Sequence, residues 1–167
     1  KADSSWALAH ARLAEAWTEL DNFDAASREI TAAHSRAAND KAIGELDHLY
    51  LQAITQTVDG NHAEALKAYD QIASKAPGEA HVHFDLGRTH ERNRQVKEAI
   101  EQHLKAIGIN AGFAASHLRL GMLYGRSGDL ERSEDHFRKA ESIYETSANG
   151  EGKTEVILQR GLAFLNA

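Results

Sequence analysis

The sequence contains no cysteine and a single proline, and it has few β-branched residues. The absence of cysteine excludes disulfide bonds, thiolate metal sites and thiol nucleophiles. Alanine occurs 29 times, whereas valine and isoleucine together occur 13 times. Because alanine is the strongest helix former and β-branched residues favour strands, this balance predicts an all-α protein.

The charge of the chain and the lengths of its apolar runs argue against two classes of partner. Lys and Arg number 19 against 25 Asp and Glu, which gives a formal net charge of −6. An acidic chain has no electrostatic reason to bind nucleic acid or an anionic membrane surface. No run approaches the roughly 18 uninterrupted apolar residues that a membrane-spanning helix needs. We expect neither partner. The cysteine count leaves the compartment open, and a cytoplasmic location is our expectation.

The length of 167 residues fits one domain or a short array of small units. Two large domains would need a longer chain. The sequence begins at Lys1 rather than Met, so we expect it to be a piece of a longer protein.

Residues of similar character recur along the chain at a fixed interval. The pairs separated by 34 residues include His83 and His117, Leu86 and Leu120, Gly87 and Gly121, and Ala106 and Ala140. The same interval separates Ala53 from Gly87, whereas Ala14 precedes Ala53 by 39 residues, so the first interval carries five extra residues. We expect the extra residues to extend a helix that is capped by Asn39-Asp40 and runs from Lys41 to Val58.

Each period contains two amphipathic stretches separated by a turn-forming segment. The four segments are Leu20-Asp21-Asn22, Asp59-Gly60-Asn61, Asn93-Arg94-Gln95 and Ser127-Gly128-Asp129. A turn between two helical patterns predicts a helical hairpin. Small residues recur at one position of each helix; they are Ala14, Ala53, Gly87 and Gly121 on the first and Ala26, Ala65, Ala99 and Ser133 on the second. Because glycine inside a helix costs about 1 kcal/mol relative to alanine, Gly87 and Gly121 indicate close contact between the paired helices.

These residues resemble the tetratricopeptide repeat, whose pattern places an aromatic, Leu-Gly and an aromatic on one helix and Ala, an aromatic and Ala on the next. The last unit matches at Leu120, Gly121, Tyr124, Phe137 and Ala140. The unit before it matches at Leu86, Gly87, Ala99 and Ala106, with His83, His90 and His103 at positions where aromatics are usual. The resemblance covers roughly residues 5 to 145. It implies a right-handed superhelical α-solenoid of helical hairpins.

The resemblance also implies a domain organisation. We expect a single domain over residues 1–167, with repeats at about 5–38, 39–78, 79–112 and 113–146 and a C-terminal helix at about 152–166. A terminal helix that closes such an array is expected to have a polar outer side. The alternative is that this helix is the first helix of a further repeat.

In this family the first helix of each unit lines a concave surface. The resemblance implies a partner-binding groove formed by Asp47, Tyr50, Ile54, Phe84, Arg88, Leu118, Arg119 and Met122. An exposed apolar row with a polar rim is typical of interaction sites. We therefore predict a protein-protein interaction module that binds an extended or helical peptide with apolar anchors, with Arg88 and Arg119 setting its direction or an acidic preference. The alternative is that the fold buries part of the row.

No residues form an arrangement typical of an enzyme. A nucleophile with a base, or two carboxylates facing one another, is missing from the repeats, so we predict no catalytic residue and no cofactor. His83, His90 and His103 could bind a metal only if their nitrogens met at one point, and we interpret them instead as neutral imidazoles that replace aromatics and bond to neighbours. Gly152-Lys153-Thr154 lacks the preceding strand of a phosphate-binding loop and indicates a helix start.

Two other functions remain open. The segment from Ala11 to Trp17 is similar to repeat regions of bacterial signalling proteins, so the chain could be the regulatory part of a larger kinase or transcriptional regulator. The second open function is self-assembly, in which the exposed ends or the groove of one copy bind another copy. The sequence leaves the oligomeric state open, with a monomer as the simplest expectation.

Overall fold

A computed structural model describes residues 5–39 and 43–165. These residues form nine α-helices and no strand, which confirms the all-α prediction. The helices are α1 (Ser5–Glu19), α2 (Phe23–Asn39), α3 (Glu45–Val58), α4 (His62–Lys75), α5 (Ala80–Arg92), α6 (Val96–Ile109), α7 (Ala114–Arg126), α8 (Leu130–Thr146) and α9 (Gly150–Leu165). No helix in this described part of the chain has the length and apolar content to cross a lipid bilayer.

The helices are grouped in two compact units, Lys1–Pro77 and Gly78–Ala167. In the first unit α1 pairs with α2 and α3 with α4, and α3 also packs against both α1 and α2. In the second unit α5 pairs with α6 and α7 with α8, α6 packs against α7, and α9 packs against both α7 and α8. Within each unit, successive hairpins therefore bury their sides against one another, as repeat architectures require.

The four turns inside the hairpins lie where the sequence predicts them. In each, the first helix ends at the residue before the three-residue turn and the second begins at the residue after it. The middle residue has a left-handed φ, which is 76° at Gly60 and 60° at Arg94. The third residue donates a backbone hydrogen bond back into the first helix, as from Asn61 to Gln56 at 2.8 Å. This motif satisfies carbonyl groups that a helix end leaves unpaired.

The five extra residues of the first interval do not extend α3, so this prediction is wrong. Helix α3 begins at Glu45, and Gly44, which is a poor helix former, precedes it with an extended backbone of φ −78° and ψ 163°. Helix α2 instead continues to Asn39, whose side-chain amide donates to the carbonyl oxygen of Ser35 at 2.7 Å. The rest of the predicted extension, residues 40–42, lies outside the described residues.

The paired helices are in close contact at the recurring small residues, as predicted. A Cβ atom built on Gly121 would lie 2.8 Å from the ring of Phe137, so no larger residue fits there. Ser133 takes the place of the alanine found in the other hairpins, and its hydroxyl donates to the carbonyl oxygen of Gly121 at 2.8 Å. Leu120 is buried in the same unit. The glycines of α5 and α7 therefore have the packing role that their cost indicates.

Helix α9 begins as expected and differs from expectation on its outer side. The side chain of Asn149 accepts a hydrogen bond from the backbone N–H of Gly152 at 2.8 Å, so Gly152-Lys153-Thr154 lies in a capped helix start. The expectation of a polar outer side is wrong. The exposed large apolar residues of α9 are Ile157, Leu158, Leu162, Phe164 and Leu165. These residues are exposed because α7 and α8 pack against only one side of α9, where Val156 is buried.

Candidate functional site

Three of the predicted groove residues lie on α3 in the first unit, and two of them are buried. Ile54 has an exposed fraction of 0% and Tyr50 of 8%, and Asp47 is half-buried. Ile54 belongs to an apolar cluster with Ala7 and Ala11 of α1. Because α1 packs against α3, these small alanines allow α1 to cover Ile54. The expected exposure of Tyr50 and Ile54 is therefore wrong, and the alternative that the fold buries part of the row holds in this unit.

The other five predicted residues lie on α5 and α7 in the second unit. Phe84 is half-buried, and its ring lies 5.6 Å from the imidazole of His103 and 5.3 Å from the ring of Phe113. The guanidinium of Arg88 lies over the Phe84 ring at 5.7 Å. A cation placed against an aromatic face is attracted by the ring quadrupole. Phe84 and Arg88 therefore form one amphipathic patch on α5.

Arg119 belongs to a chain of polar contacts that runs between three helices. Its guanidinium lies 3.6 Å from a carboxylate oxygen of Glu91. The other Glu91 oxygen accepts a hydrogen bond from Nε2–H of His103 at 2.9 Å, and His103 itself is fully buried. Burial lowers the pKa of His103, although the hydrogen bond to Glu91 acts in the opposite direction. Arg119 is thus oriented by α5 and α6 as well as by its own helix.

Leu118 and Met122 are half-buried on α7 and pack against the core formed by Phe137 and Val156. Met122 also borders a pocket of about 430 Å³ between α7 and α9. The pocket is lined by Met122, Gly125, Arg126, Gln159, Leu162 and Ala163. A Cβ atom on Gly125 would lie 2.9 Å from Ala163, so the glycine allows α9 to approach α7 at the base of this pocket.

The pocket residues on α9 are not among the groove residues that the sequence predicts. Gln159, Leu162 and Ala163 are spaced so that they lie on one helix face. This spacing is the sequence feature from which the three residues could have been grouped. The sequence did not show that this face turns toward α7. We therefore treat Phe84, Arg88, Leu118, Arg119 and Met122, together with the pocket residues, as the candidate interaction surface.

The charged residues of α7 are all positive. The helix contains Arg119 and Arg126 and no acidic residue. Arg126 is exposed at the pocket, and within residues 5–39 and 43–165 it makes no ion pair. Because the chain as a whole has a net charge of −6, this arginine gives the pocket edge a local charge opposite to that of the protein.

The histidines of the third hairpin do not converge on one point. His83 bonds to Gln102 and His90 to Gln95, each at 2.9 Å, while His103 bonds to Glu91. This arrangement confirms the prediction that each imidazole takes an aromatic position and bonds to a neighbour. In the part of the chain that the structure describes, no group of three or more His, Asp or Glu side chains could hold a metal ion.

A pair of buried histidines in the fourth hairpin was not predicted from the sequence. The Nδ1 atoms of His117 and His136 lie 3.0 Å apart, and Nε2–H of His117 donates to the carbonyl oxygen of Ala111 at 3.2 Å. His117 therefore accepts from Nδ1–H of His136. Burial and the neighbouring His117 lower the pKa of His136 to about 4, and burial lowers the pKa of His117 as well. The pair can hold this contact only while at least one ring is neutral.

Comparison with known proteins gives two matches to family models. Both models are described as tetratricopeptide repeat, and they match residues 50–115 and 114–147. Together these ranges cover more than half of the chain. The TPR repeat-containing thioredoxin TTL4 of Arabidopsis thaliana is 31% identical over 77 residues, which is 46% of this chain. The chain spans 11% of the length of that relative.

Many solved structures have a similar fold. The TPR2AB domain of yeast Sti1, in a complex with pHSP90, has a TM-score of 0.67 at 15% identity and covers 94% of this chain and 69% of its own. The type III secretion translocator chaperone SycD of Yersinia enterocolitica has a TM-score of 0.66 at 17% identity and covers 76% of this chain and 98% of its own. At these identities the likeness concerns the fold alone.

Proposed function

Because this chain belongs to the tetratricopeptide repeat family, we propose that it binds a segment of a partner protein on the surface formed by α5, α7 and α9. It acts as an interaction module and contributes no catalytic residue. The observation that carries the proposal is the pocket between α7 and α9, where apolar side chains lie beside an arginine without an ion-pair partner among the described residues.

The lining of this pocket supports an apolar anchor on the partner. Met122, Leu162 and Ala163 provide apolar walls, and the volume of about 430 Å³ can receive a large side chain. Burying such a side chain contributes roughly 1.5–3 kcal/mol, and interfaces commonly depend on a few anchors of this kind. Leu118 and Phe84 extend the apolar surface beyond the pocket. The partner segment therefore presents one large apolar residue to the pocket and further apolar residues along α5 and α7.

The arginines support an acidic residue near the anchor. Arg126 lies at the pocket on α7. Arg119 lies on the same helix, and Arg88 lies on α5. Arg119 already faces Glu91, whereas Arg126 is available to a carboxylate from a partner. A charge at the rim of an interface mainly affects association rate and specificity. The partner segment therefore carries an Asp or Glu close to its apolar anchor.

The comparisons support the class of function. The Sti1 structure is a complex with pHSP90, and SycD is a chaperone of secretion translocators. Each of these proteins is named together with another protein, and we infer a comparable use for this chain.

Selection of peptides from a random display library on the immobilised chain tests this proposal. We expect the selected peptides to share a large apolar residue next to an acidic one. Met122→Glu should lower the affinity of a selected peptide at least about 10-fold, because it places a carboxylate in the apolar pocket. Arg126→Glu should lower the affinity and reduce its dependence on salt concentration.

Leu104→Glu is the matched control, because Leu104 is an exposed apolar residue of α6 away from the pocket. Its affinity for the peptide should equal that of the unmodified chain. Circular dichroism of all three variants should show the same helix content. Peptides that bind Met122→Glu and Arg126→Glu as tightly as the unmodified chain would rule out this surface.

A further inference from the structure

The carboxylate of Glu91 lies between a buried imidazole and an arginine of the candidate interaction surface. One of its oxygens accepts a hydrogen bond from Nε2–H of His103 at 2.9 Å, and the other lies 3.6 Å from the guanidinium of Arg119. The exposed fraction of the side chain rises along this chain of contacts, from 0% at His103 to 11% at Glu91 and 28% at Arg119. The charge of the buried ring is therefore connected to the surface on which we place the partner.

His103 can accept a second proton without moving. Because Nε2–H donates to Glu91, Nδ1 is the acceptor atom of the neutral ring. The hydroxyl oxygen of Ser116 lies 3.5 Å from Nδ1 and is buried with it. A hydroxyl group can either donate or accept a hydrogen bond, so Ser116 can serve both the neutral and the protonated ring.

Charged groups from the two helices that pack against α6 act on His103. Burial is the main cause of its low pKa; Glu91 of α5 raises the pKa, whereas Arg119 of α7 and Arg88 of α5 lower it. A partner carboxylate that binds Arg119 compensates one of these cations. It adds little desolvation, because the ring is already fully buried. Partner binding at Arg119 should therefore raise the pKa of His103.

The coupling is reciprocal, because binding that favours protonation must itself be favoured by protonation. When His103 is neutral, Glu91 holds Arg119 and competes with a carboxylate from the partner. When His103 is protonated, its positive charge attracts Glu91 and weakens the hold of Glu91 on Arg119. Arg119 can then pair with the partner.

We propose, building on the function proposed above, that Glu91 competes with the partner for Arg119 and that protonation of His103 relieves this competition, so that mild acid strengthens the binding of a segment with two acidic residues. One acidic residue pairs with Arg126 and the other with Arg119. These arginines are two helical turns apart on α7, or about 10.5 Å along the axis. Three residues of extended chain span about 10 Å. The two acidic residues of the partner segment are therefore about three positions apart.

An NMR titration of the His103 ring in the unmodified chain and in Arg119→Gln tests the coupling without any partner. The pKa of His103 should be higher in the variant, because a cation that acts on the ring is removed. Arg126→Gln, two turns away on the same helix, is the matched control and should leave the pKa of His103 unchanged. The same pKa in all three proteins would overturn the coupling, whatever the chain binds.

The binding step is tested with histidine-free peptides selected from a display library at about pH 6. Their affinity should rise at least about threefold between about pH 7.5 and about pH 5.5. The same peptides with the second acidic residue replaced by Gln should show no such rise. Loss of folded protein in acid would lower the apparent affinity, so the direction of the change separates the two effects. Calorimetry at about pH 6 in buffers of different ionisation enthalpy should show that protons are taken up on binding.

His103→Phe should bind these peptides with an affinity that does not depend on pH over this range. Phenylalanine fits this position, because Phe137 lies against Gly121 of the next hairpin as His103 lies against Gly87. Circular dichroism checks that the variant is folded.

Glu91→Gln provides a second variant that does not alter the buried ring. It keeps an oxygen that can accept from His103 and removes the charge that competes for Arg119. Its affinity for the peptides should be higher than that of the unmodified chain at about pH 7.5 and should change little with pH. His136→Phe is the matched control, because this buried ring contacts His117 instead of Glu91. The rise in affinity should persist in that variant.

Two binding results would overturn the proposal. They are an affinity that stays constant or falls as the pH is lowered, and a rise that persists in both His103→Phe and Glu91→Gln. Either result would leave the interaction surface itself in place. A selection that yields no peptide at either pH would instead contradict the proposed function and, with it, the regulation by His103.

Discussion

Gly87 of α5 faces the imidazole of His103 so closely that a Cβ atom on the glycine would lie 2.6 Å from the ring. His103 is fully buried, and its ring also contacts Phe84 and bonds to Glu91. The ring is therefore held from several sides and cannot move away from a new methyl group. This contact sets the distance between α5 and α6.

Gly87→Ala should lower the free energy of unfolding by about 1–3 kcal/mol, since overpacking a buried site outweighs the gain in helix propensity. Urea denaturation followed by circular dichroism measures the change. Gly108→Ala on α6 is the control, because a Cβ atom there meets nothing within 4 Å. The control should leave stability unchanged or raise it by up to about 1 kcal/mol. Equal effects of the two substitutions would show that the ring of His103 can move to accept a methyl group at residue 87.

Acidification should destabilise the second unit through its buried histidines. Burial lowers the pKa values of His103, His117 and His136 from the ordinary value of 6.5, and that of His136 falls to about 4. Below pH 6.5 the unfolded chain therefore binds protons that the folded chain does not. Stability should be constant above about pH 7 and should fall between pH 6.5 and 4, by up to about 1.4 kcal/mol per pH unit for each imidazole.

His136→Phe tests the contribution of the pair in the fourth hairpin. The slope of unfolding free energy against pH between 6.5 and 4 should be smaller in this variant than in the unmodified chain, whatever its stability at pH 8. The charged groups near this ring are Asp135, Lys139 and Arg132, and all of them remain. His48→Gln, at an exposed position of α3, is the control. An unchanged slope in His136→Phe would exclude His136 as a source of the acid sensitivity.

The hydrogen bond from Ser133 to Gly121 should contribute measurably to the packing of α7 on α8. The hydroxyl is buried and donates to a backbone carbonyl oxygen at 2.8 Å. Ser133→Ala should lower the free energy of unfolding by about 0.5–1.5 kcal/mol relative to Ser142→Ala. Ser142 is exposed on the same helix, so both variants gain the same helix propensity and the difference isolates the buried hydrogen bond. Equal stabilities of the two variants would assign Ser133 a packing role only.

The hairpins could be predicted from the sequence because they depend on neighbouring residues. Three-residue turns such as Asp59-Gly60-Asn61 end one helix and begin the next within a few positions of the chain. The close contact between paired helices could also be predicted, because a glycine such as Gly121 is unfavourable inside a helix unless a neighbouring helix comes close to it. The extension of α3 was predicted wrongly because the helical pattern was continued through Gly44, a poor helix former that has an extended backbone before α3.

The candidate surface could be predicted only in part. Phe84, Arg88, Leu118 and Met122 are accessible enough to contribute, whereas Ile54 stands at an equivalent place in the repeat and is fully buried. The difference comes from Ala7 and Ala11 of α1, which are more than 40 residues away in the chain. The sequence pattern around Ile54 does not predict that α1 packs over it.

By itself the sequence determined the helical class, the positions of the turns and the family, because these depend on spacings and on residue types a few positions apart. Only the tertiary structure decided which members of the expected apolar row stay accessible, where the pocket beside Arg126 lies and that the outer side of α9 is apolar. Exposure is a property of the space around a side chain, and that space is filled by residues from distant parts of the chain.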